Sequence, residues 1–365
     1  MIKIGDTTKK TFILLLIYSL IIIGNTTCKF FYRSTNNFTY FLLLLLSYCF
    51  KVVAGFFEIY QRRSFRKKIT QPSANTIKVI LFYLIIIALQ CADVFYKITR
   101  NNDVNDEKNY LYFSFLLSNS QLLIIGVLSF IILHYKFGKH KIIGLLVTIV
   151  SIVFPITFSI IVEKQSNVQS FFKTLPSNLF EGIIDVLIKY LLSIKFQSPY
   201  CILFFTGLFQ CISCIILMFT DKTEHNQFLS TGFVICCIFS VIFKGAKYYM
   251  NIFINYKYTP AHKIISNSFA LFVFYLVWEF SKWEAKTLVG LIGFVVCLLG
   301  SLIYNEIIII TVWDLDRDTS EEINNRAINE SNQIIDSFAR TNLENLHEEN
   351  EEEVDEDSLT QEHID

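Results

Sequence analysis

Glu181, Asp185 and Lys189 stand four residues apart inside an apolar stretch running from about Phe171 to Lys195. An α-helix turns by roughly 100° per residue, so this spacing keeps all three on one face. Asn178, three residues before Glu181, falls on the same arc. A charge inside a bilayer is costly and persists where it meets a partner, a packed interior or water. The helix therefore has a dry side and a wet side, and a wet stripe within a bundle points to a passage or a pocket.

Other apolar stretches carry polar faces of the same kind. Lys244, Lys247, Asn251 and Asn255 share an arc of about 80° on one helix. His262, Lys263, Ser266 and Asn267 crowd the first turns of the next, and Ser118, Asn119 and Gln121 open an earlier one. As a binding set, Lys244, Lys247 and Lys263 would hold an anion, and Asn119, Gln121, Asn251 and Asn267 would hydrogen-bond its body. Glu181 and Asp185 would pair with the lysines when the site is empty, or carry a coupling proton. Ser118, Asn178, Lys189, His262 and Ser266 complete the set. Plainer readings stand beside this one. Glu181 could form a structural ion pair with Lys189 or Lys247, Ser and Asn could simply join helices, and His262 could be a satisfied interfacial residue rather than a proton relay. Lys51 is expected to snorkel along its helix to an interface.

These residues sit in a chain that is 53% hydrophobic, with 36 Phe, 5 Pro and a mean hydropathy of +0.46. Such a composition excludes an ordinary soluble domain and points to an all-α integral membrane protein. The runs are long Leu/Ile/Phe blocks, not the short alternating segments of a β-barrel. Ten spans are expected, at about 11–30, 38–60, 76–97, 109–134, 140–162, 171–195, 199–220, 230–256, 260–281 and 287–311. Pro199 and Pro260 suit helix starts, and Pro155 is expected to kink the fifth span. The first run, Phe12 to Ile23, is near a signal-peptide core in length but lacks an A-x-A-like site after it, so it is read as a membrane helix. The nine Cys lie in or beside apolar segments and read as small packing residues.

Charge divides the chain into a transmembrane domain, 1–312, and a tail, 313–365. From Asp314 onward there are 18 Asp and Glu against 3 Arg, a net −15, and the remainder is +15. The tail is too acidic and too poor in apolar residues to fold alone and is expected to be largely disordered, with a marginal helix after Ser320. Inside loops carry 14 Lys and Arg against 10 outside when the N-terminus is cytosolic, which favours both termini in the cytosol. The halves, about 11–162 and 171–311, echo each other. Ser118-Asn119-Ser120 precedes Gly144-Leu145 much as Ser266-Asn267-Ser268 precedes Gly290-Leu291. A duplicated unit of five spans inserts with inverted topology, and sites in such proteins lie at the repeat interface.

The last span reads Val289-Gly290-Leu291-Ile292-Gly293-Phe294 and then Leu299-Gly300-Ser301-Leu302-Ile303-Tyr304-Asn305-Glu306. With Thr259-Pro260-Ala261-His262-Lys263 before Ser266-Asn267-Ser268, and Trp283-Glu284 before the last span, it resembles the drug/metabolite transporter superfamily, in particular the solute carrier family 35 group, whose best-known members carry nucleotide sugars. The resemblance implies an inverted 5+5 repeat, alternating access to a central cavity and an internal membrane (Golgi, ER or vesicular), and it places Lys263 at the family's basic position in the ninth helix.

The expected function is secondary transport of a polar, anionic, nucleotide-sugar-like metabolite. A proton-coupled carrier of a neutral or cationic solute, with Glu181 and Asp185 in charge, is the alternative. A scaffold acting through the acidic tail is a third reading, which tail deletion would separate from a carrier. No HExxH, GxSxG or phosphate-cradling Gly loop occurs, so no enzyme activity is expected. No cofactor or nucleic acid is expected. The partners anticipated are the bilayer, the metabolite, a second copy of the chain and a sorting protein for the tail.

Overall fold

The computed structural model describes residues 2–4, 8–31, 37–61, 75–102, 120–135, 137–163, 175–195, 197–220, 231–278 and 285–311, with scattered residues between 315 and 328. These belong to two units. One is Ile4–Ile308, and the other joins Met1–Lys3 with Ile309–Asp365.

The larger unit is helical. Its described residues form α1 (Thr8–Phe31), α2 (Asn37–Gln61), α3 (Asn75–Asn102), α4 (Ser120–Leu133) and α5 (Lys139–Glu163), then α6 (Leu175–Ser193), α7 (Pro199–Thr220), α8 (Thr231–Lys257), α9 (His262–Trp278) and α10 (Ala285–Tyr304). Each expected span overlaps one of them. Parts of α1, α3, α5, α7 and α8 are long and apolar enough to cross a membrane, and α2, α4 and α10 hold shorter apolar segments. The distribution of side chains is the reverse of a soluble protein's. Phe12, Val53, Phe57, Ile161 and Phe219 face outward, whereas Ser47, Lys51, Thr206, Asp185 and Lys263 are buried.

Helix ends follow local chemistry. Pro199 opens α7, where a missing N–H leaves no bond unmade. Pro155 lies inside α5, which continues through it. The expected tenth span, to about 311, stops earlier. Glu306 takes φ 59°, and its N–H bonds Ile303 O while Ile307 N–H bonds Leu302 O, both at 3.0 Å. This is a Schellman ending with Glu where Gly is usual. Beyond it the chain is no longer helical, and Ile308–Ile310 becomes strand β2. The third helix outruns its expected span, which ends at about 97, since α3 runs on to Asn102.

Most of the helix pairings survive adding five to every number, and those of α8 with α6, α7 and α9 do not. Packing of α4 on α6 is matched by α9 on α1, α1 on α8 by α6 on α3, α2 on α8 by α7 on α3, and α4 on α5 by α9 on α10. The two most extensive interfaces, α2 with α7 and α5 with α10, map onto themselves. Direction alternates as well. Side-chain contacts run parallel between α6 and α8, and antiparallel between α9 and α10. Glycines allow the self-paired helices to approach. A Cβ on Gly144 would lie 2.6 Å from Tyr304 N, and one on Gly55 2.7 Å from Phe204 N.

In the smaller unit, strand β1 (Ile2–Ile4) pairs with β2. Glu322, Ile323, Asn325, Arg326 and Ile328 are helical, where the sequence predicts a marginal helix. Leu315 and Thr319 are buried there, and the Arg326 guanidinium donates to Arg317 O. The rest of the acidic tail, including 348–357, lies outside the described residues.

Candidate functional site

Asp185 is the centre of the polar interior. Gly182, one turn earlier on α6, is what lets α4 approach: a Cβ there would stand 2.6 Å from Ile124 Cγ2. That approach brings Gln121 of α4 within reach, and its Nε2 donates to Asp185 Oδ2 at 3.3 Å. From α8, Asn251 Nδ2 donates to Asp185 Oδ1 at 3.3 Å. From α9, the Lys263 ammonium forms an ion pair with Asp185 Oδ2. Asp185 is 1% exposed, Gln121 2% and Lys263 4%. Four helices therefore meet at one carboxylate sealed from solvent, in a setting where a charge pair survives only with further hydrogen bonds.

The neighbourhood is not fully satisfied. Asn251 Oδ1 is buried without a hydrogen-bond partner, and Asn255, one turn further along α8, has neither its Oδ1 nor its Nδ2 paired. Asn255 is 0% exposed. Buried amide atoms left unpaired cost about 1–3 kcal/mol each, so two such side chains on one face, beside a charge pair, mark a place built for something else to bond.

The remaining predicted residues distribute as follows. Asn178 donates to Ser120 Oγ of α4 at 3.3 Å. Glu181 lies within electrostatic reach of Tyr18 on α1. Lys189 turns from the stripe to the end of α8, donating to Asn255 O at 3.0 Å and Tyr258 O at 2.7 Å, where an ammonium complements the helix's terminal carbonyls. His262 stacks on Tyr258, centroids 5.1 Å apart, and its Nδ1 lies 2.8 Å from Thr259 Oγ1. Thr11 of α1 donates to the Tyr258 hydroxyl at 3.1 Å, so Tyr258 ties α1, α6 and the α8–α9 connection together. Ser266 points at α1, donating to Leu15 O at 2.8 Å. Lys244 is buried, and Lys247 and Asn267 are half-buried. Ser118 and Asn119 lie outside the described residues.

Lys51 does not snorkel. It is 3% exposed, and its Nζ donates to Gln210 Oε1 of α7 at 2.9 Å and stands 5.4 Å from the centroid of the Tyr248 ring of α8. The sequence reading passed over Gln210, although a lone Gln in an apolar span is itself a signal. Asn255 was on the polar arc of α8 but outside the binding set.

No protein-family model matches the chain, and no curated protein matches it. A solved structure described only as "Crystal structure of protein" is similar in fold, at 10% sequence identity, with a TM-score of 0.57, covering 81% of this chain and 96% of that one.

Proposed function

We propose that this chain is a secondary transporter that carries a polar, anionic metabolite across an internal membrane by alternating access, with ten transmembrane helices in an inverted 5+5 repeat and both termini cytosolic. The observation that carries the reading is the convergence of Gln121, Asp185, Asn251 and Lys263 from four helices on one buried centre. Packing alone does not require a charge pair there, since apolar residues of equal volume do as well or better. The pairings that recur under a shift of five helices support the repeat, and sites in inverted repeats lie between the halves. Here α4 belongs to the first half and α6, α8 and α9 to the second. The resemblance to solute carrier family 35 agrees with this arrangement.

The test is exchange in liposomes. Purified protein should exchange labelled organic anions, and Asp185→Asn together with Lys263→Ala should abolish it. Undiminished exchange by that double variant would reject the site.

A proton-coupled carrier is the second reading, favoured by one observation: Lys263 already has its counter-ion in Asp185. Under it, uptake follows a pH gradient and is lost in Asp185→Asn even for uncharged solutes.

A further inference from the structure

A buried ammonium is costly without a counter-charge, and the two deepest lysines among the described residues differ in whether they have one. Lys263 has Asp185. Lys51 has the amide oxygen of Gln210 and the face of Tyr248, both neutral, and among the described residues no carboxylate reaches it. An ammonium held in a low-dielectric interior by neutral groups is expensive, and an aromatic face recovers only part of that cost.

A second buried lysine stands close by. Lys244 is buried on α8, one turn before Tyr248 and on the same face. Lys51 lies in electrostatic range of Cys211 and Lys244 in range of Cys214, and those cysteines are one turn apart on α7, so both ammonium groups face the same stretch of that helix. With its oxygen engaged by Lys51, Gln210 has its Nε2, a donor, left to offer. The Lys51 ammonium and the Gln210 amide N–H together offer a charge and donors, which suits an oxyanion. Further along the same face of α8 come Asn251 and Asn255, with their unpaired buried oxygens. Tyr248 and Asn255 are separated by about 10 Å of helix rise.

We propose that Lys51, with Gln210 and Tyr248, receives the oxyanion of the transported solute, while Asn251 and Asn255 bond the hydroxyl or N–H groups of its body. This rests on the transporter reading and narrows its substrate to an organic oxyanion with hydrogen-bond donors, the nearest within reach of Asn251 and any further ones up to about 10 Å along α8 at Asn255. The occupant of the Lys51 cluster is a carboxylate or a phosphate, and the choice is left to experiment.

The experiment is thermal unfolding of the full-length protein in detergent with glycerate, glycerol 3-phosphate or uncharged glycerol. Glycerate or glycerol 3-phosphate should raise the melting temperature and glycerol should not; the anion that acts identifies the group. Lys51→Met should weaken the anion's binding by roughly tenfold to a hundredfold, the size of a lost charged hydrogen bond, and should melt no lower than the wild type without ligand. Gln210→Glu places a carboxylate against Lys51. It should fold, melt higher, and lose the response to both anions, which keeps the test decisive if Lys51→Met fails to express. The proposal falls if neither anion shifts the wild type, if either variant keeps the response, or if Lys51→Met melts lower than the wild type, which would make the lysine structural. Anion binding that behaves as expected without any flux in liposomes would remove the transporter reading and leave the oxyanion site standing.

Discussion

The Asp185 cluster and the Lys51 cluster lie against the same face of α8 and are both sealed from solvent, yet they balance charge in opposite ways. Around Asp185 one carboxylate meets one ammonium, with Gln121 and Asn251 filling out its hydrogen bonds. Around Lys51 the partners are neutral. The first arrangement is complete in itself and favours a closed, locked bundle. The second becomes electrically complete when an anion arrives. The contrast assigns different work to two sets of residues that composition alone would treat alike: Lys263 holds helices together through Asp185, and Lys51 waits for a ligand.

The largest effects should come from breaking the pair. Lys263→Met leaves Asp185 buried and unpaired, and should destabilise the protein by about 3–5 kcal/mol, read as a drop in the midpoint of thermal or denaturant unfolding. Asp185→Asn should cost a similar amount by stranding Lys263. Replacing both with apolar residues should restore most of the loss. If the double variant is as unstable as either single one, the pair is not the unit described here. Next in size, and opposite in sign, is Lys51→Met. Removing a lone buried charge should gain more than the Gln210 oxygen left unpaired loses, and so stabilise the ligand-free protein by about 1 kcal/mol or more. Equal destabilisation by Lys51→Met and Lys263→Met would erase the distinction between the clusters.

A third effect concerns the amides between them. Asn255→Leu removes two unpaired buried polar atoms at nearly constant volume and should gain about 1–3 kcal/mol while lowering flux. A stability loss instead would mean that a hydrogen-bond partner of Asn255 holds the helix in place.

The sequence made the helices legible and the pairings only partly so. Glu181, Asp185 and Lys189 do lie along one helix, and α4, α6, α8 and α9 do bring polar groups together. The partner was readable only as a set: Asp185 was matched with Lys244, Lys247 and Lys263 together, and Glu181 also with Lys189, whereas the structure joins Asp185 to Lys263 and sends Lys189 to the end of α8. Periodicity fixes which residues share a face of one helix. It does not fix the rotation of that helix against its neighbour, and here the register depends on Gly182 admitting Ile124. Lys51 was misread for the same reason. A lysine alone on an apolar helix can snorkel, and only the arrival of Gln210 from α7 and Tyr248 from α8 shows that it is enclosed. At Glu306 a local rule misled, because the apolar run continues past the point where the backbone turns.

The smallest effect supplies the control that the comparison needs. Glu306 carries a charge outside both clusters, paired with Lys141 of α5 at 3.4 Å and partly open to its surroundings. A screened pair of this kind contributes a few tenths of a kcal/mol. Its backbone sits in the left-handed region at φ 59°, which costs a side-chain-bearing residue about 1 kcal/mol relative to glycine. Glu306→Gly should therefore raise stability slightly, by less than about 1 kcal/mol, and leave exchange unchanged. Measured beside Lys51→Met, it separates two explanations. If deleting a charge at the end of α10 changes flux as much as deleting one beside Gln210, transport responds to net charge, and neither cluster has a role of its own.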